Sequence, residues 1–124
     1  ALECLREYGV ADDAIEVLRV PGAFEITVAA EHCAASGRYA ALICLGAVVR
    51  GETPHFEFIS REVSRGVNDV ACRHRIPVAF GVLTTDNMEQ ALARAGEGHG
   101  NKGYEAAITA LEMAALLRDH ARLS

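Results

Sequence analysis

The chain lacks several features that mark particular classes of protein. It has no tryptophan, only three prolines, and an aromatic content of 6%. Its longest apolar run, from Ala40 to Val49, is too short to span a bilayer. No charged, apolar and small-residue signal peptide opens the sequence. From these absences we expect neither a membrane-spanning nor a secreted protein, and we expect a cytoplasmic location.

The four cysteines show no spacing that is typical of a metal or redox site. They are Cys4, Cys33, Cys44 and Cys72, with no CxxC pair and no Cys/His cluster. Neither a zinc site nor a thioredoxin-like dithiol is therefore predicted. Because disulfides are rare in cytosolic proteins, we expect these cysteines to be buried and reduced.

Positive charge is also scarce. Twelve basic residues stand against seventeen acidic ones, which gives a formal net charge of −5, and the sole lysine is Lys102. A nucleic acid or an anionic membrane surface attracts proteins with a basic field, so neither is expected as a partner. Any anionic substrate must be met by a few local cations.

The length and composition indicate one globular domain over residues 1–124. At 124 residues and 51% hydrophobic content, the chain can bury roughly two-thirds of its unfolded surface on folding, which is enough for one core. The same apolar fraction excludes a disordered protein, and the length excludes a two-domain enzyme.

Apolar spacing and turn residues predict alternating helices and strands. Asp86 with Glu89 forms a capping box for one short helix, and Thr53-Pro54 supplies the N-cap and first position of another. The predicted order is a helix ending at Gly9, a strand over 14–20, a helix over 23–36, a strand over 40–49, a helix over 54–73, a strand over 77–83, a helix over 86–96 and a helix over 101–119.

This alternation is typical of α/β architecture with a parallel sheet. The chain opens with Ala1 in the middle of a helical pattern, and a first strand before Leu2 would complete a four-stranded sheet. The run over 40–49 lacks period-two alternation, which favours a strand covered on both faces. Ligands of open α/β sheets bind at the carboxyl ends of strands, so functional residues are expected just after Val20, Val49 and Leu83.

The segment after the second predicted strand carries a candidate proton-transfer residue. His55 is the second residue of its predicted helix, where the positive end of the helix dipole disfavours the imidazolium form. An exposed histidine without a role is the alternative. Gly51, Glu52 and Thr53 precede this helix, whose free N–H groups could bind an anion, although Thr53 could also be only an N-cap. The other histidines, at 32, 74, 99 and 120, are interpreted as solvated or incidental.

Two further groups of residues stand out near the last helices. Arg94 lies near the end of its predicted helix, where its planar guanidinium would suit a phosphate, with Arg50 as an alternative. Lys102 and Gly103 open the last helix, and both are locally unfavourable there. Glu105, three residues on, lies within pairing distance of Lys102. A flexible exposed turn is the alternative interpretation.

Four long segments resemble the lumazine synthase family. They are VPGAFEI at 20–26, GAVVRGETPHFEFIS at 46–60, FGVLTTDNMEQALARAG at 80–96 and NKGYEAAITALEMA at 101–114. The resemblance implies a three-layer α/β/α sandwich of the flavodoxin-like type, with a parallel four-stranded sheet. It also implies a transferase of riboflavin biosynthesis that condenses 5-amino-6-ribitylamino-2,4-pyrimidinedione with 3,4-dihydroxy-2-butanone 4-phosphate. The products would be 6,7-dimethyl-8-ribityllumazine and phosphate, and no metal or organic cofactor is implied.

The resemblance also implies roles for individual residues. His55 matches the family's catalytic histidine, and Arg94 matches its phosphate clamp. Lys102 would contact the heterocycle or the reacting carbonyl region. The remaining substrate-binding residues implied in this way are Phe24, Glu25, Ala47, Val48, Val49, Gly51, Glu52, Thr53, Phe80 and Glu105.

Relatives of this family form pentamers, and some form hollow sixty-subunit icosahedral capsids. A homo-oligomer, either a pentamer or a multiple of pentamers, is therefore implied, with riboflavin synthase as a further partner. Two other functions stay open from the sequence. A flavin- or lumazine-binding module without turnover would keep the pocket but would not need His55 together with Arg94, and a structural shell protein would need assembly alone.

Overall fold

The computed structural model describes residues 1–49, 56–85 and 101–123. The predicted helix over 86–96 and the predicted start of a helix at Pro54 lie outside these residues. The described elements, in chain order, are α1 (Leu2–Glu7), the short 3-10 helices Asp12–Ala14 and Ala23–Glu25, α2 (Ile26–Ala35), β1 (Leu42–Val49), α3 (Phe56–His74), β2 (Val78–Thr85) and α4 (Lys102–Leu123).

The two described strands form a parallel pair. Their register runs from Leu42 opposite Val78 to Val49 opposite Thr85, so both strands end at the same level. Helices α2 and α3 cover one face of the pair, and α4 with α1 covers the other. The predicted α/β class and parallel sheet are confirmed, while two of the four expected strands are found in the described part of the chain.

The core on the α2–α3 face is built from small and β-branched side chains. Its largest fully buried members, Val63 and Val70, lie on α3 and recur at helical spacing. The buried residues of this cluster are Ile26, Ala30, Ala34, Cys44, Val48, Val63, Val67, Val70 and Val82.

The segment over 14–20 is not a strand, which corrects the prediction. Ile15 has extended dihedrals, with φ −116° and ψ 123°, but no neighbouring strand pairs with the segment in the described residues. Glu16 instead accepts hydrogen bonds from the Arg38 guanidinium and the Tyr39 hydroxyl, at 2.6 and 2.7 Å. Ile15 is therefore extended, but a strand also requires a partner for its N–H and C=O groups.

Strand β1 is covered less completely than its apolar run predicts. Ile43, at its start, packs against apolar residues of the α1–α4 side. Leu45 is 46% exposed, and Ala47 near the carboxyl end is exposed as well. The second face of the strand is thus covered only towards its amino end.

The α1–α4 face contains a hydrogen bond between the two helices. The hydroxyl of buried Tyr104 donates to Glu7 Oε2 at 2.5 Å. This bond, with burial as a smaller cause, raises the pKa of Tyr104 to about 12. Tyr104 therefore remains a proton donor at neutral pH. The predicted helix end at Gly9 is confirmed, since Gly9 has a φ of +85°, a region that glycine adopts without strain.

All four cysteines lie in the described residues and carry free thiols. Cys4, Cys33 and Cys44 are buried, as expected, and burial raises the pKa of Cys44 to about 11. Cys72 on α3 is exposed, so the expectation of burial is wrong for this residue. Among the helices that the structure describes, none is both long and apolar enough to cross a membrane.

Helices α2 and α3 approach closely at Gly66. A Cβ at this position would lie 2.6 Å from Thr27 Cγ2 and 2.8 Å from Thr27 Oγ1. Threonine is stiff about χ1, so its side chain cannot easily turn away from an added methyl group. Glycine at this position therefore allows the backbones of the two helices to pack together.

We expect Gly66→Ala to destabilise the fold despite the better helix propensity of alanine. Overpacking typically costs about 1–3 kcal/mol, whereas the propensity gain is about 1 kcal/mol, so a net loss of about 1 kcal/mol is expected. Urea unfolding would measure it. The double variant Gly66→Ala/Thr27→Ala removes both clashing atoms and should recover stability. An increase in unfolding free energy for Gly66→Ala alone would contradict the close approach.

Candidate functional site

The carboxyl ends of β1 and β2 define the edge of the sheet at which a ligand is expected. Of the predicted residues, Ala47, Val48 and Val49 form the end of β1. Ala47 is exposed, whereas Val48 is 8% exposed and belongs to the core. The end of β1 is therefore accessible to solvent on the face that carries Ala47, while Val48 on the opposite face packs into the core.

Several predicted site residues fall outside the part of the chain that the structure describes. Both segments that follow the strand ends belong to this group. The residues are Arg50, Gly51, Glu52, Thr53, His55 and Arg94.

Phe24 and Glu25 lie on the 3-10 helix Ala23–Glu25, immediately before α2. Phe24 is 54% exposed, so it is not a core residue. Its ring stacks on that of Phe58, which lies on the first turn of α3, with a centroid distance of 6.4 Å and an interplanar angle of 20°. The sequence did not single out Phe58, because the apolar spacing of α3 predicts a helix but does not show that Phe58 contacts Phe24.

Lys102, Gly103 and Glu105 form the beginning of α4. The Lys102 ammonium lies 3.7 Å from Glu105 Oε2, which confirms the predicted pairing distance, and both side chains are about half exposed. Asn101 caps the helix, since its Oδ1 accepts a hydrogen bond from the backbone N–H of Tyr104 at 2.9 Å. A Cβ on Gly103 would lie 2.9 Å from this same oxygen. Glycine at 103 thus leaves room for the capping side chain beside Lys102.

Phe80 lines an open groove between β2 and α3. The groove has a volume of about 500 Å³, and Phe80, at 36% exposure, forms part of it. Arg61 and Ser64 line this groove together with a second, adjoining groove that extends to Thr84 near the end of β2. Sequence reasoning missed Arg61 and Ser64, although their spacing of three residues on one helix is a signal that they share a face.

Phe80 and the body of α4, which begins at Lys102, lie on opposite faces of the sheet. The even-numbered residues of β2, including Phe80, face α3, whereas Ala79 packs against the alanines of α4. Phe24 contacts α3 at Phe58, and Phe80 meets the same helix at Arg61 and Ser64. The structure therefore brings Phe24 and Phe80 to α3, while Lys102 and Glu105 form the beginning of the helix that packs on the other face.

His74 has a structural contact, which corrects its interpretation as solvated or incidental. Its Nε2 lies 2.8 Å from Glu31 Oε2, and Arg73 contacts the other oxygen of that carboxylate at 3.0 Å. The hydrogen bond with His74 is the main reason that the pKa of Glu31 lies below its ordinary value. This cluster joins the end of α3 to α2, away from the strand ends. Within residues 1–49, 56–85 and 101–123, no three His, Cys, Asp or Glu side chains are grouped to hold a metal ion.

Comparison with known proteins identifies the family. The family model described as 6,7-dimethyl-8-ribityllumazine synthase matches residues 1–118. The chain belongs to this family. It is 55% identical over 119 residues to two 6,7-dimethyl-8-ribityllumazine synthases of Clostridium kluyveri. In both cases the matched region covers 96% of this chain and 77% of the relative.

The resemblance to lumazine synthases that four sequence segments indicate is therefore confirmed. Membership of the family makes the chain a transferase of riboflavin biosynthesis.

Proposed function

We propose that this chain condenses 5-amino-6-ribitylamino-2,4-pyrimidinedione with 3,4-dihydroxy-2-butanone 4-phosphate to form 6,7-dimethyl-8-ribityllumazine and release phosphate. The observation that carries the proposal is the 55% identity to lumazine synthases over 96% of the chain. The geometry supports it as well. Strands β1 and β2 end in register at Val49 and Thr85, and the segments with the proposed chemical groups follow both ends.

The proposed roles divide between proton transfer and binding. His55 would move protons during Schiff-base formation, phosphate elimination and ring closure, which all need a group that titrates near the working pH. Arg94 would hold the phosphate, with help from the backbone at Gly51, Glu52 and Thr53. The pyrimidine and its ribityl chain would contact the remaining set, which is Phe24, Glu25, Ala47, Val48, Val49, Phe80, Lys102 and Glu105.

We propose further that the site forms between two copies of the chain, in a pentamer or a capsid built from pentamers. One copy would contribute Phe24, Glu25 and His55, and its neighbour would contribute Phe80, Arg94 and Lys102. The exposure of Phe24 and Phe80 supports this arrangement, because a second copy would shield both rings from water. A cytoplasmic location and an association with riboflavin synthase belong to the same proposal.

Mixing the complete gene product with both substrates would test the activity. We expect lumazine absorbance to rise in step with the release of inorganic phosphate. Omission of either substrate is the control, and both signals should then disappear. If the protein binds the lumazine product but forms neither product nor phosphate, it is a binding module rather than an enzyme.

The substitution Arg94→Ala is expected to affect the two substrates unequally. A charge-assisted bidentate contact with a phosphate contributes nothing to binding of the neutral pyrimidine ring. The KM for the butanone phosphate should therefore rise about tenfold or more, the range expected when a charged hydrogen bond is lost, while the KM for the pyrimidine changes little. Steady-state kinetics with each substrate varied in turn would measure this. Equal increases in both KM values would refute the assignment.

A further inference from the structure

Two phenylalanine rings stack beside the first turn of α3, and both face solvent. Phe24 and Phe58 are 54% and 57% exposed, yet their centroids lie 6.4 Å apart in nearly parallel planes. This geometry falls in the range of offset stacking that aromatic pairs prefer. The pair lies outside the three buried clusters of the described core. Core packing therefore does not explain why both rings are oriented in this way.

The segment that carries Phe24 is short and contacts α2, α3 and β1. It is a 3-10 helix of three residues, Ala23–Glu25, with no side-chain cap. Its closing hydrogen bond runs from the Glu25 N–H to the Gly22 carbonyl at 3.2 Å. Ala23 packs against the core, but a methyl group cannot set the direction of the neighbouring Phe24 ring. The stack on Phe58 is a direct contact of this ring with α3, and it favours the ring orientation seen in the structure.

Phe58 stands on a well-anchored element. Helix α3 has nineteen residues, and Val63, Val67 and Val70 fix it to the core at 1–3% exposure. Phe58 also follows His55 by three residues in the sequence. The contact between Phe58 and Phe24 therefore links the segment Ala23–Glu25 to α3. In the sequence, α3 follows directly after His55, the proposed proton-transfer residue.

We propose that Phe58 is a positioning residue for binding of the pyrimidine substrate. Its ring holds Phe24, and with it the adjacent Glu25, in the orientation that receives the pyrimidine and its ribityl chain. This inference rests on the proposed function, since it assigns Phe24 and Glu25 to that substrate. Without the Phe58 ring, part of the binding energy of the pyrimidine must be spent on ordering the segment.

The test compares Phe58→Ala, Phe58→Tyr and the wild-type protein. Loss of an aromatic pair corresponds to about a three- to tenfold weaker interaction, so Phe58→Ala should raise the KM for the pyrimidine by about that factor. The KM for the butanone phosphate and kcat should change little. Phe58→Tyr keeps an aromatic ring that can stack on Phe24, so its KM for the pyrimidine should stay close to the wild-type value. Calorimetric titration with the pyrimidine alone should give a higher Kd for Phe58→Ala than for Phe58→Tyr and the wild-type protein.

Leu116→Ala is the matched control, because Leu116 is an apolar residue of equal exposure, 56%, on a helix that does not carry Phe58. It should leave both KM values unchanged. Equal increases in both KM values for Phe58→Ala, or failure of Phe58→Tyr to restore binding, would overturn the positioning role. Loss of assembly in sedimentation of Phe58→Ala would also overturn it, since Phe58 would then be a subunit contact. If the wild-type protein binds the pyrimidine but makes no product, the proposed activity fails, and the calorimetric comparison still decides the role of Phe58.

Discussion

Turnover is expected to fall by about ten- to a thousandfold when His55 is replaced by alanine, the range for loss of a general acid or base. The low end is expected if the condensation proceeds readily once both substrates are bound. The reason is the sequence position of His55 at a predicted helix start, beside N–H groups that can bind an anion. Both KM values should change less than kcat, because the loss falls on proton transfer.

Single-turnover kinetics and phosphate release would measure this effect. His120→Ala is a matched control, because His120 is an exposed histidine on the last turns of α4, far along the chain from the proposed site. It should leave kcat unchanged. Circular dichroism and sedimentation should show that folding and assembly persist in both variants. Wild-type turnover in a well-folded His55→Ala protein would refute the assignment.

The second large effect is rescue between two impaired variants. In a head-to-tail ring every interface is the same, so each site would take His55 from one subunit and Arg94 from its neighbour. When His55→Ala and Arg94→Ala subunits assemble at random, roughly a quarter of the sites should combine both native side chains. At a butanone phosphate concentration well below the wild-type KM, each variant alone should reach at most about a tenth of wild-type activity, whereas the mixed assemblies should reach roughly a quarter.

The two variants would be unfolded and refolded together, as complete chains, and compared with each variant refolded alone. Native mass spectrometry would verify that the assemblies contain both kinds of subunit. Mixed assemblies without any gain in turnover would mean that each site lies within a single chain. The activity of each variant after it is unfolded and refolded by itself provides the baseline.

The elements that the sequence predicts correctly are those with strong local signals. Gly9 and Gly37 both adopt positive φ at predicted helix ends, with values of +85° and +69°. Strands β1 and β2 follow from continuous apolar runs. The segment over 14–20 has an equally strong local signal, but among the described residues no strand pairs with it. Strand formation depends on a neighbouring strand, and the sequence of the segment itself carries no information about it.

The candidate site shows the same division between local and tertiary information. Lys102 pairs with Glu105 as predicted, because three residues along a helix fix their separation. The unfavourable Gly103 also has a local explanation, since it makes room for the cap of Asn101. The stack of Phe58 on Phe24 joins residues thirty-four positions apart, so no spacing rule could predict it.

The unequal burial of the four thiols has a practical use for testing the proposed assembly. Cys72 on α3 is exposed, whereas Cys4, Cys33 and Cys44 are enclosed, and burial raises the pKa of Cys4 and Cys44 and so reduces their thiolate fraction. A maleimide dye should therefore attach at one position of the unmodified chain. Energy transfer between donor- and acceptor-labelled subunits would then report how fast copies exchange between assemblies, without any cysteine having to be introduced or removed.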